Sequence, residues 1–261
     1  MKPRHKIPLI TGRNSSAVVF GDRQSPFHDK RAFRLLLKFI VAVKPDALIN
    51  LGDDADCFWW STYPKKFGSI RPPRLRYGWN ASGEVRAVRD DWAAIKEASG
   101  GAKRYYLMGN HEERCRRIVQ NQTPAIETDG TDFRSVFGAG DFWDHVYDYG
   151  DAIRLGHLWF THGHLVRVHT AKSMLDQWGT SVVFGHVHRW ELYSRRTKNG
   201  EHHAAFGVPC LCDLDAHYLA LPNWSQGFAH VTWTPTGLFS LTTIPILPGY
   251  HAVFGGIQFS A

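Results

Sequence analysis

The chain has 261 residues, of which 43% are hydrophobic and 21% charged, the proportions of a globular protein long enough to bury a core. They exclude a disordered, collagenous or coiled-coil chain. Lys and Arg outnumber Asp and Glu by 31 to 24, a net charge of +7 that favours anionic partners, and there are fifteen histidines.

Five short β-rich runs each end abruptly in polar residues. Ala17–Phe20 runs into Gly21-Asp22, Ala47–Leu51 into Gly52-Asp53, and Arg104–Met108 into Gly109-Asn-His111. Leu158–Phe160 meets Thr161-His162, and Ser181–Phe184 meets Gly185-His186. Apolar runs of this length bounded by glycine read as buried strands. Between them, helices are predicted over Asp29–Val43 with Asp29 as cap, Glu84–Ala98, Glu112–Val119 and Thr170–Trp178. Alternating strand and helix implies an α/β layered core.

After residue 188 the pattern changes. Trp190–Arg196 and His202–Val208 flank Asn199-Gly200, a strong hairpin turn, and Phe228–Thr234 and Leu238–Ile246 flank Pro235-Thr-Gly237. The last third therefore reads as antiparallel strand, a second sheet packed on the first. No linker separates the two parts, so residues 1–261 are expected to form a single domain.

Cys57, Cys115, Cys210 and Cys212 form no CxxC pair and are too few to staple a chain of this size, which fits a reducing compartment. Cys210 and Cys212 are assigned no role. The basic start, Met1–Lys6, leads into no apolar segment of signal-peptide length, and the apolar stretch Leu35–Val43 is short and broken by Lys38. A soluble, intracellular protein without a membrane span is expected.

Each strand end delivers oxygen or imidazole donors: Asp22 with Gln24, Asp53 with Asp56, Asn110 with His111, His162 with His164, and His186 with His188. The carboxyl ends of strands are where α/β sheets place ligands. One such residue is ordinarily a turn or a cap; five sets in one chain point to a shared centre. Carboxylate, carboxamide and imidazole together suit Mn²⁺, Fe, Zn²⁺ or Ni²⁺, and the lack of a thiolate cluster argues against structural zinc.

Asp22-x-Gln24, Gly52-Asp-Asp-Ala-Asp56, Gly109-Asn-His-Glu112, His162-Gly163 and Gly185-His-Val-His188, in this order across residues 22–188, resemble the calcineurin-like metallophosphoesterases. The resemblance implies a four-layer α/β/β/α sandwich of two mixed β-sheets flanked by helices. It further implies two divalent ions bridged by Asp53, one held by Asp22, Gln24 and His188 and the other by Asn110, His162 and His186. Such a pair clamps a phosphate and generates the attacking hydroxide from a bridging water. His111 corresponds to the family's histidine that protonates the leaving oxygen, and Asp56 to the carboxylate that orients it. Position 24 departs from the family's usual Asp-x-His, although glutamine occurs there in phage-borne members. A neutral amide oxygen is a weaker, harder donor than imidazole, which favours Mn²⁺.

The insertion from Cys57 to Asn80 follows the Asp53 loop directly. It holds Phe58, Trp59, Trp60, Tyr63, Phe67, Tyr77 and Trp79 with Lys65, Lys66, Arg71, Arg74 and Arg76, and no acidic residue. Aromatics interleaved with basic groups suit stacked bases over a phosphate backbone. Trp59 and Trp60 are accordingly candidate substrate contacts, the alternative being a lid or oligomer contact whose aromatics are buried and whose basic groups are solvated. Arg114, with Arg116 and Arg117 one turn beyond His111, and His164 are further candidates, the alternatives being an exposed helix face and a satisfied loop histidine. The sequence thus points to a metal-dependent phosphodiesterase or nuclease on DNA or RNA. A phosphomonoesterase, including a protein phosphatase, is the first alternative, disfavoured because the Arg-Gly that follows this motif in serine/threonine phosphatases is missing. A nucleic-acid-binding module with a degenerate metal site is the second.

Overall fold

A computed structural model describes residues 4–8, 13–61, 80–122, 130–214 and 222–261. In chain order the elements are β1 (Arg4–Ile7), β2 (Ser15–Phe20), α1 (Lys30–Val43), β3 (Ala47–Asn50), α2 (Ala81–Ser99), β4 (Lys103–Leu107), α3 (Glu113–Gln122), α4 (Phe133–Phe137) and β5 (His145–Tyr147). They continue as β6 (Ala152–Leu155), β7 (Leu158–Thr161), α5 (Thr170–Trp178), β8 (Val182–Phe184), β9 (Glu191–Arg196), β10 (His202–Gly207), β11 (Gly227–Trp233), β12 (Phe239–Pro245), β13 (His251–Phe254) and β14 (Ile257–Ser260).

Among the described residues two six-stranded mixed sheets result, in the orders β12-β11-β2-β3-β4-β5 and β1-β6-β7-β8-β10-β9. Four layers follow from where apolar residues are buried. Ala17, Val19, Ile49 and Leu107 of the first sheet meet Ile153, Phe160 and Val183 of the second in a shared core. Alternate residues of the same strands, Val18, Phe20 and Leu48, face outward onto α1 and α2. On the far side, α5 covers the second sheet through Met174 and Leu175 packed on Val182 and Phe184.

The first helix shows why these segments fold as they do. Asp29 accepts hydrogen bonds from the Arg31 and Ala32 amides at 2.8 and 3.1 Å, and Lys44 ends the helix in the left-handed region. Ala32, Leu35, Leu36, Phe39 and Ile40 fall on one buried face. Burying each large apolar side chain is worth about 1.5–3 kcal/mol. The C-terminal hairpin β13–β14 closes over this helix, setting Phe254 and Phe259 at 5.3 and 5.1 Å from Phe39.

The expected division of strands between sheets is corrected. Instead of a first sheet of early strands and a second of late ones, each sheet mixes both. β11 pairs antiparallel with β2, and β10 pairs parallel with β8. Each late hairpin covers an edge that the earlier strands leave open, so the two hairpins go to different sheets. α2 also begins earlier than expected, at Ala81, because the Asn80 side chain accepts the Gly83 amide at 2.7 Å. Of the 57–80 insertion, the structure describes a 3-10 turn over Phe58–Trp60 and the Asn80 cap; Tyr63, Phe67, Tyr77, Trp79 and all five basic residues lie outside the described residues.

Candidate metal centre

β2, β3 and β4 run parallel in the first sheet, β7 and β8 parallel in the second, and their carboxyl ends meet at one edge of the sandwich. Asp22, Asp53 and Asn110 come from the first sheet, His162, His186 and His188 from the second. Ligand atoms of Asp53, His162 and His186 lie within 4.8 Å of one another, as do those of Asp22, Asp53 and His188. Asp53 is common to both groups. Asn110 Oδ1 stands 3.2 Å from His162 Nε2, and Gln24 Nε2 stands 3.4 Å from His188 Nε2.

The backbone is bent to bring these side chains together. Among the described residues, eight non-glycine residues have positive φ, and five of them are Asp22, Gln24, Asp53, His186 and His188, with φ between 48° and 71°. Left-handed backbone at such residues costs energy and persists where the surroundings over-determine it. Glycines leave room for the approach: a Cβ on Gly109 would lie 2.1 Å from Asp53 Oδ1, and one on Gly185 would lie 2.5 Å from Asp22 Oδ2.

Acceptors crowd the centre. His162 Nδ1 donates to the Leu51 carbonyl at 2.8 Å, which turns Nε2 toward Asn110 Oδ1 at 3.2 Å and Asp53 Oδ2 at 3.4 Å. Asp22 Oδ1 is buried without a hydrogen-bond partner, 3.3 Å from His188 Nε2. Buried carboxylates need a cation or a hydrogen-bond donor. The electrostatics carry the same signature. Burial opposes charge on His162 and His188, yet Asp53 lifts the first to about 9 and Asp22 lifts the second to about 9. Burial would raise Asp53, but His111 and His162 hold it well below the usual carboxylate range. His186, desolvated and beside His162, is pushed down to about 4. Protons thus sit where positive charge is wanted, and oxygen, carboxamide and imidazole donors suit first-row divalent ions.

His111 stands at the rim of this group. Its amide donates to Asp53 Oδ1 at 2.8 Å. Its Nδ1 donates to the Asp56 carbonyl at 3.0 Å, with Asp56 Oδ1 at 3.2 Å, so Nε2 turns toward Asp53 Oδ2 at 3.7 Å. Arg114 Nη1 donates to the same Asp56 carbonyl at 2.6 Å, so it braces the His111 partner. Arg116 and Arg117 instead pair with Glu113. The two tryptophans part company: Trp59 is 39% exposed, whereas Trp60 packs on Phe137 at 5.5 Å. His164 is exposed, and His28 is buried edge-on to Phe33.

Two supports escaped the sequence reading. The buried Glu112 carboxylate accepts the amides of Asp53, Asp54, Ala55 and Gly109 at 2.7–3.0 Å and the Tyr106 hydroxyl at 2.7 Å, fastening the second and third motifs together. Arg23, fully buried between Asp22 and Gln24, forks onto Asp54 at 2.8 and 2.7 Å and reaches Asp91 at 2.6 Å. The signal was an arginine and a second aspartate inside otherwise liganding motifs. Cys210 and Cys212 also gain a setting, since both are buried beside His188.

No family model matches the chain. The Gene 54 proteins of Mycobacterium phages D29 and L5 are each 27% identical, over 92% of this chain and 97% of theirs. Among solved structures, Vacuolar Protein Sorting 29 from Cryptosporidium parvum is 12% identical with a TM-score of 0.47, covering 95% of this chain and 96% of that one. A dimetal phosphatase from Danio rerio is 11% identical with a TM-score of 0.42, over 88% and 95%. Built on two packed mixed sheets with helices outside them, and carrying its strand-end motifs in family order, the chain has the fold of the calcineurin-like metallophosphoesterases.

Proposed function

We propose that the chain is a dinuclear metal-dependent phosphoesterase acting on phosphodiesters, with nucleic acid as the substrate class. The observation that carries this reading is the sharing of Asp53 by two groups of ligand atoms, one with His162 and His186 and the other with Asp22 and His188. Asp22, Gln24, Asp53 and His188 would hold one ion, and Asp53, Asn110, His162 and His186 the other. Two ions so placed supply charge against the phosphate oxygens and lower the pKa of a bound water.

The protein's own groups do the rest. Asp56 holds the His111 ring by Nδ1, so its Nε2 faces the reacting region and delivers a proton to the leaving oxygen. The Leu51 carbonyl fixes His162 with Nε2 inward. The basic and aromatic composition of residues 57–80, which begins one residue beyond Asp56, supports a polyanionic, base-bearing substrate.

The test is turnover by metal-free protein reloaded with Mn²⁺. Bis(p-nitrophenyl) phosphate and p-nitrophenyl phosphate are assayed beside labelled single- and double-stranded DNA and RNA. Mn²⁺-dependent cleavage of the diester and of at least one nucleic acid is expected. Cleavage of the monoester alone would remove the nuclease reading, and no hydrolysis by metal-loaded protein would overturn the enzyme.

A further inference from the structure

His188 has two working faces. Its Nε2 looks toward Asp22 and Gln24, while its Nδ1 lies 3.5 Å from Cys212 Sγ, on the side away from the candidate metal centre. We propose that Cys210, Cys212 and Nδ1 of His188 form a second kind of metal site, one for a thiophilic divalent ion such as Zn²⁺ or Cd²⁺.

Three observations carry it. The ligand atoms of His188, Cys210 and Cys212 lie within 4.8 Å of one another. A tetrahedral zinc with Zn–S of about 2.3 Å and Zn–N of about 2.0–2.1 Å sets its sulfur and nitrogen about 3.5 Å apart. That is the spacing found here between Cys212 Sγ and His188 Nδ1. The thiols are also pre-positioned. Cys210 and Cys212 are two residues apart on extended chain, bridged at Cys210 to Gln226 and at Cys212 to His28, so both side chains share a face. The Leu211 amide donates to the Asp22 carbonyl at 3.2 Å, which fixes this segment to the first candidate ligand's loop. Trp224 lies against the His188 ring at a centroid distance of 4.4 Å and holds its orientation.

Sharing one imidazole has a consequence. A neutral imidazole carries one ring lone pair, so His188 offers either Nε2 toward Asp22 or Nδ1 toward the thiols. An ion at the thiols therefore withdraws His188 from the Asp22 side, where Gln24 is already a weak donor. A thiophilic ion and the ion on the Asp22 side compete, and soft metals act on this protein as antagonists of harder ones.

Cadmium reports the site without any turnover, through the ultraviolet charge-transfer absorption of cadmium thiolate. Reduced, metal-free protein titrated with Cd²⁺ should show this band, complete at one equivalent. C57S/C115S should retain it, because that buried pair, 3.9 Å apart, lies outside the proposed site. C210S/C212S should lose it, and its Cd²⁺ affinity should fall by roughly 100-fold or more. Bound Mn²⁺, measured by equilibrium dialysis, should drop by one equivalent as the band grows. Absence of the band in the wild-type protein, or its persistence in folded C210S/C212S, would overturn the site. Undiminished Mn²⁺ binding with the band fully formed would overturn the competition. Should C210S/C212S fail to fold, the single variant C212A is titrated instead, and an unchanged band there counts against the proposal.

Discussion

His111 divides its work between backbone and ring. The amide is committed to Asp53 Oδ1 and Nδ1 to the Asp56 carbonyl, so the side chain can be removed without touching the donors grouped around Asp53. His111→Ala should therefore lower turnover by about 10²–10⁴-fold while leaving bound metal, counted by atomic emission, unchanged. Loss of both ions instead would refute the proton-donor assignment. Single residues were legible where their chemistry is unusual for their place, as with imidazoles directly after Gly-bounded strands. Cys210 and Cys212 were not, because a thiol is chemically ordinary in a core and only the fold sets these two against a histidine more than twenty positions earlier.

At the scale of the loops, the left-handed turns at Asp22, Gln24 and Asp53 are held by a buried cross-brace. Arg23 from the β2 loop grips Asp54 from the β3 loop, and Trp92 Nε1 of α2 donates to the same carboxylate at 2.6 Å. Burial opposes charge on Asp54, but Arg23 keeps its carboxyl below the usual range. Breaking a buried pair leaves one charge uncompensated, so Asp54→Ala should destabilise metal-free protein by about 3–5 kcal/mol in urea unfolding. A loss within about 1 kcal/mol would mean that Asp91 alone satisfies Arg23. α1 was readable because its cap and apolar face are local, and it starts after Asp29 as expected, whereas the five-residue α4 was not anticipated. The brace was not readable, because its partners lie more than thirty residues apart.

For the whole molecule, alternating elements and the hairpin signals made an α/β core with a second packed sheet legible, and the motif resemblance supplied the four layers, but the allotment of strands to sheets was not legible. A hairpin carries no local mark of which open edge it will cover, so β9–β10 and β11–β12 could be placed only by tertiary pairing. That pairing brings the ends of two sheets face to face and buries carboxylates against imidazoles, which couples metal, proton and stability. Without metal, Asp53 and Asp22 outweigh burial and lift His162 and His188 from 6.5 to about 9. A histidine whose folded pKa is raised adds stability that is complete below pH 6.5 and is lost as pH climbs through its folded value. Glu84, lifted by burial and Asp56 to about 8, loses stability in the same direction over the lower part of that range. The thermal midpoint in EDTA should therefore fall between pH 6.5 and 9, each histidine contributing on the order of 3 kcal/mol. On the proposed reading divalent ions would take the place of those protons, so saturating Mn²⁺ should raise the midpoint more at pH 9 than at pH 6.5. Calorimetry across this window decides the matter, and a metal-induced shift that ignores pH would mean that neither histidine gives up a proton to the ions.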